Sequence, residues 1–203
     1  MGFLTNAACR IVPLMAFLIV HGLEGSGPEH WQSRLAARLR ARGLDVAYPL
    51  LPEADSPRLE RWLDALAAEL ARLPAAETTV LCHSLGSLLW LHHAARRPSQ
   101  QVARALLVAP PQPDEEDAPS VGFRPVPLDR EGVAAAARET RLVCSTNDPW
   151  CPQETSRRIG EATGIPIDWI EHAGHINTDA GYGPWPAVEA WALGESERPV
   201  ATD

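Results

Sequence analysis

Ser84 stands in the pentapeptide Cys82-His83-Ser84-Leu85-Gly86, where an apolar, β-branched run gives way to a helical one. A serine on an abrupt strand-to-helix turn presents its hydroxyl as a nucleophile, and so tight a turn demands small residues two positions to either side. Gly86 meets that demand in full, and Cys82 takes the place of the usual glycine. The same serine would also serve as an ordinary helix N-cap, so the pentapeptide alone leaves both readings open. Two later segments favour the nucleophile. Asp148, in Ser145-Thr146-Asn147-Asp148-Pro149, follows a late strand and is placed to orient an imidazole. His175, in Glu171-His172-Ala173-Gly174-His175, follows the last strand and is placed to act as general base. His172 is the rival base; His175 is preferred because Gly174 permits a tight approach, with Asn177 and Asp179 placed to brace the loop. Asp168 and Asp179 are weaker candidates for the acid, the first lying within a strand and the second beyond the histidine.

A fourth element is His21-Gly22-Leu23-Glu24-Gly25-Ser26-Gly27, directly after the first strand. A glycine-rich turn there lets a backbone N–H face the nucleophile. Paired with the N–H of the residue after the serine it forms an oxyanion hole, which assigns the substrate-binding donors to the N–H groups of Leu23 and Leu85. A flexible connecting turn is the plainer alternative. Neither a Walker A pattern nor a clean G-x-G-x-x-G is present, so phosphate binding is disfavoured. The order Ser84, Asp148, His175 is the one that α/β-hydrolases use.

The elements that must position these groups alternate along the chain. Apolar strand-like runs fall at 16–20, 45–48, 78–82, 102–108, 141–145 and 167–170. Between them, helical spacing is read at 30–42, 57–73, 87–97 and 153–163, with a closing helix at 187–193. The Pro- and acid-rich stretch 110–131 reads as loop. Strands alternating with helices predict a mostly parallel sheet covered on both faces, an α/β fold without a large cap domain. The predicted organisation is an N-terminal extension at 1–14, expected to be disordered, one domain at 15–194, and a C-terminal tail at 195–203.

With 203 residues, one full hydrophobic core is possible. The net charge of −8 argues against a nucleic-acid partner, which would need a concentrated basic patch. Cys9, Cys82, Cys144 and Cys151 form no CxxC pair, so neither a zinc site nor a disulfide framework is expected, and the compartment is read as cytoplasmic. Residues 11–20, IVPLMAFLIV, are too short to span a bilayer and lead straight into His21-Gly22, so no membrane association or export is expected.

The chain resembles the YdeN-like small serine hydrolases of the α/β-hydrolase superfamily over nearly all of 15–194. The resemblance rests on HGLEGSGPEHWQ at 21–32, CHSLGS at 82–87, VGFRPVP at 121–127, STNDPWC at 145–151 and AGHINTDAGYGPWP at 173–186. It implies a compact sheet, no cofactor or metal, and a triad that carries onto Ser84, Asp148 and His175. Cys82 departs from the family's usual glycine. The expected activity is hydrolysis of small carboxylic esters through an acyl-enzyme, with a small-molecule acyl substrate. A thioesterase or amidase using the same triad remains open. So does a non-catalytic protein-binding module using the 110–131 loop.

Overall fold

The computed structural model describes residues 15–114 and 122–200, and in it the apolar runs become one all-parallel sheet. The strands are β1 (Ala16–Val20), β2 (Asp45–Ala47), β3 (Thr78–His83), β4 (Val102–Val108), β5 (Ala137–Ser145) and β6 (Ile167–Ile170). They lie in the order β2-β1-β3-β4-β5-β6. A parallel strand with helices on both faces is buried on both sides, which is why β1 and β3 are buried at every position and read as continuous apolar runs.

Successive side chains of each strand feed opposite cores. Leu18, Val20, Val80, Cys82 and Leu107 pack with α2 (Leu59–Leu70), α3 (Leu85–Ala95), α4 (Arg130–Ala136) and α5 (Gln153–Thr163). Phe17, Ile19, Leu81, Leu106 and Val108 pack with α1 (Trp31–Ala41) and α6 (Pro186–Ala192). Trp62 and Trp90 anchor the first core and Trp31 and Trp191 the second, all fully buried. Burying a large apolar side chain contributes roughly 1.5–3 kcal/mol, so these two layers dominate the fold's stability.

The architecture agrees with the expected α/β-hydrolase layout, with three local differences. Helix α3 starts at Leu85, immediately after Ser84. Helix α4 adds to the expected elements, and its first two residues lie in the stretch expected to be loop; Asp129 caps it, its Oδ1 accepting the Glu131 N–H at 3.1 Å. The tail folds back through residue 200: Arg198 donates to the buried Asp168 and Val200 joins the second core. The expected disorder of 1–14 and the acidic run at 115–117 lie outside the described residues. No helix among the described residues is long and apolar enough to cross a membrane.

Candidate active site

In an open parallel sheet a crevice forms at the C-terminal strand ends where the connections diverge to opposite faces. Here β1 leads to α1 on one face and β3 leads to α3 on the other, and the two strands are neighbours. Pairing of Val20 with Cys82, His83 with Val108, and Ser145 with Ile170 brings the four loops carrying the candidate residues to one end of the sheet.

Ser84 adopts φ 51° and ψ −124°, a conformation that costs a non-glycine residue about 1–3 kcal/mol. The surroundings hold it there. Its N–H donates to Val108 O at 2.9 Å, and its carbonyl accepts the Ser87 N–H at 2.8 Å. Ser84 occupies the N-cap position of α3, but its side chain makes no capping bond there and turns to His175 instead. Gly86 and Gly22 give the turn its room. A Cβ on Gly86 would lie 2.6 Å from His21 O and 2.7 Å from Val20 O, and one on Gly22 would lie 2.8 Å from Ser84 Cβ. Cys82 is tolerated because its side chain is fully buried in the first core, where burial pushes its thiol pKa up and leaves it inert. Gly86→Ala is expected to lower stability by about 2–3 kcal/mol, because the contact is with backbone and α3 must move away. Equilibrium urea unfolding measures this; an unchanged midpoint would show that the elbow has slack.

The Ser84 Oγ lies 2.9 Å from His175 Nε2, and His175 Nδ1 lies 3.0 Å from each Asp148 carboxylate oxygen. With Nδ1–H donating to the carboxylate, Nε2 carries the lone pair and accepts from the hydroxyl. Asp148 is itself fixed, since Oδ1 also accepts the Trp150 N–H at 2.9 Å. The structure therefore brings together all three side chains predicted from the sequence. It leaves the rivals apart. His172 is exposed, and its N–H donates to Thr146 Oγ1. Asp168 is fully buried in β6 and paired with Arg141 at 2.6 and 2.9 Å and with Arg198 at 2.6 Å, a structural clamp.

The bracing of the histidine loop differs from expectation. Three consecutive side chains at the C-terminal end of β5 and just beyond it accept three consecutive backbone N–H groups: Thr146 Oγ1 from His172 at 3.0 Å, Ser145 Oγ from Ala173 at 3.0 Å, and Asn147 Oδ1 from Gly174 at 2.8 Å. Asn177 instead caps the short 3-10 turn Thr178–Ala180, and Asp179 is exposed at the cleft. Gly174, at φ +54°, is needed as expected, because a Cβ there would come within 3.0 Å of Ala180 Cβ. His83 adds a strut that sequence reasoning missed: its Nε2–H donates to His175 O at 3.0 Å. Burial, aided by the neighbouring His175 and His30, holds the His83 pKa far below the ordinary range and keeps the ring neutral.

Leu23 and Leu85 both line the cleft with Ser84. Leu85 is the first residue of α3, where a helix leaves its N–H groups unpaired, and the Leu23 N–H meets no acceptor among the described residues. The loop carrying Leu23 is tied to the segment after β2. His21 Nε2 accepts the Leu51 N–H at 2.8 Å, His21 Nδ1–H donates to Gly22 O at 2.6 Å, and the Glu24 N–H donates to Ala54 O at 2.7 Å. Gln32 Nε2 closes the end of β1 by donating to Val20 O at 2.9 Å, while its Oε1 accepts from Ser26 Oγ. The cleft has a volume of about 490 Å³ and is walled by Leu23, His30, Arg124 and Trp150 around the hydroxyl. A hydroxyl with an adjacent base, an acid behind that base and backbone donors nearby can carry out nucleophilic acyl transfer.

Strand order, elbow and chain order of the three side chains together define an α/β-hydrolase. Residues 17–192 match the family model for serine hydrolases, and the chain belongs to that family. Within it the chain is a YdeN-like serine hydrolase. It is 28% identical over 177 residues to the hydrolase YdeN of Bacillus subtilis, covering 84% of this chain and 90% of YdeN. The crystal structure of the ydeN gene product superposes with a TM-score of 0.76 at 24% identity, over 89% of this chain and 98% of that one. A YdeN-like hydrolase from Pectobacterium atrosepticum gives 0.75 at 25% identity, over 92% and 93%. Est1E of Butyrivibrio proteoclasticus, solved with ferulic acid bound, shares the fold alone, with a TM-score of 0.61 at 15% identity over 89% of each chain.

Proposed function

We propose that the protein is a carboxylesterase acting on small acyl groups through the Ser84–His175–Asp148 triad. The observation that carries this reading is the 2.9 Å contact between the Ser84 hydroxyl, held on a strained elbow, and His175 Nε2. His175 takes the Ser84 proton as Oγ attacks the ester carbonyl, and Asp148 holds the imidazole tautomer and stabilises the imidazolium. The Leu23 and Leu85 N–H groups receive the developing oxyanion, each such donor being worth about 3–4 kcal/mol of barrier. His175 then passes its proton to the leaving alcohol, and water hydrolyses the acyl-enzyme by the same sequence in reverse.

The substrate size follows from the walls. An open cleft, with no cap domain among the described residues, offers little enclosed apolar surface for a long chain. Purified protein is expected to hydrolyse p-nitrophenyl acetate and butyrate, with kcat/KM falling toward the laurate. A maximum at twelve carbons would overturn the small-acyl assignment, and no turnover of any ester would overturn the esterase reading.

A further inference from the structure

His30 is a buried titratable group that the triad does not use. The residue is only 5% exposed, yet it lines the cleft that holds Ser84. Nδ1 accepts the Gln32 N–H at 3.2 Å, which makes His30 the N-cap of α1. A neutral imidazole with its lone pair on Nδ1 carries its hydrogen on Nε2. That Nε2–H meets no acceptor among the described residues. Burial, with the neighbouring His175 as the smaller cause, pushes the His30 pKa down to about 4, so the ring remains a neutral donor near pH 7. Nε2 is not among the fully buried side-chain nitrogens that lack a partner, so it reaches the open cleft, where a ligand oxygen can accept from it.

The position suits a substrate contact. The His30 ring stands edge-on to His83, with centroids 4.8 Å apart, and His83 lies 5.1 Å from His175. The donor is thus one ring removed from the base, in the cleft that substrate must enter. Glu24 and Asp179 border the same cleft alongside Arg124, two carboxylates to one guanidinium, which favours an uncharged substrate arm over an anionic one.

We propose that His30 is a specificity-determining residue whose Nε2–H donates to an uncharged oxygen of the ester substrate (ether, hydroxyl or carbonyl) a few bonds from the scissile carbonyl. This rests on the esterase reading of Ser84 and extends it to a substrate class: oxygen-bearing small esters are preferred over their methylene isosteres.

The test compares kcat/KM within two isosteric pairs, butyl against 2-methoxyethyl acetate, and p-nitrophenyl butyrate against p-nitrophenyl methoxyacetate. The first pair probes the alcohol arm and the second the acyl arm. Each ratio is measured in the wild type, in His30→Asn, whose side-chain oxygen still caps α1, and in His30→Phe, which keeps a ring. Taking ratios cancels the intrinsic reactivity of each ester. For at least one pair the oxygen-to-methylene ratio is expected to fall about fivefold in both variants, the worth of one neutral hydrogen bond. Unchanged ratios for both pairs in folded variants overturn the proposal and leave Ser84 untouched. Absence of ester turnover in the wild type overturns the Ser84 reading and this one with it. If neither variant folds, imidazole ¹⁵N spectra of the wild type decide. A neutral ring protonated at Nε2, whose resonance moves when Ser84 is capped by a methoxy-bearing phosphonate, supports the contact. A hydrogen on Nδ1, or a resonance indifferent to the adduct, overturns it.

Discussion

Ser84→Ala is expected to abolish turnover of p-nitrophenyl esters, lowering kcat by about a million-fold if the triad acts as a unit. The reasoning is geometric. The only reacting oxygen the elbow offers is Ser84 Oγ, and without it His175 Nε2, 2.9 Å away, has no proton to take from the protein. What survives is the acceleration over water that the oxyanion donors and binding supply unaided, about 10³–10⁴. The variant is expected to remain folded, with stability within about 1 kcal/mol of wild type, because one neutral hydrogen bond is lost and no packed carbon is removed. Its unfolding midpoint in urea therefore separates loss of chemistry from loss of structure. Covalent labelling by a fluorophosphonate should vanish with activity. Turnover within tenfold of wild type in a folded Ser84→Ala protein would end the assignment of this residue.

Asp148→Asn is expected to lower kcat by about 10⁴ with little change in KM. The carboxylate accepts from His175 Nδ1 at 3.0 Å and from the Trp150 N–H at 2.9 Å. An amide in its place can turn an NH₂ group toward Nδ1 and drive the hydrogen to Nε2, the tautomer that cannot deprotonate Ser84. The informative partner experiment is Asp168→Asn. Asp168 is fully buried between Arg141 and Arg198, so its neutralisation strands two guanidinium groups. The expected cost is up to about 3 kcal/mol of stability, moderated because the Arg198 side chain is half exposed. Its kcat should stay within a few-fold of wild type. If instead Asp168→Asn were the dead variant and Asp148→Asn the active one, the acid would have been misassigned.

Much of this fold is legible in the amino-acid sequence, for a physical reason. Strands buried on both faces must be apolar throughout, so AFLIV and TTVLC announce themselves, and the residues after their ends are where such a sheet keeps its chemistry. The elbow was readable because steric exclusion leaves a trace in residue size, and Gly86 is that trace. Helix α4 was harder: it is only seven residues long, contains Gly132 and shows no apolar stripe, leaving the Asp129 cap as its one local signal. The brace of Ser145, Thr146 and Asn147 was misassigned to Asn177 and Asp179, because a side chain that accepts a backbone N–H some 26 to 28 positions away has no sequence period. The His83 strut and the unpaired nitrogen of His30 belong to the same kind. Both depend on a tautomer, and a tautomer is decided by neighbours that only the fold supplies.

The ladder of three side-chain acceptors beneath the histidine loop has a mechanical consequence. Acid and base sit on adjoining segments laced together at consecutive positions, whereas the nucleophile stands on the turn between β3 and α3. A sliding displacement at this sheet edge would carry imidazole and carboxylate as a pair, preserving their bond while opening the gap to the hydroxyl. His83, at the C-terminal end of β3, donates to His175 O across that gap and resists such a displacement.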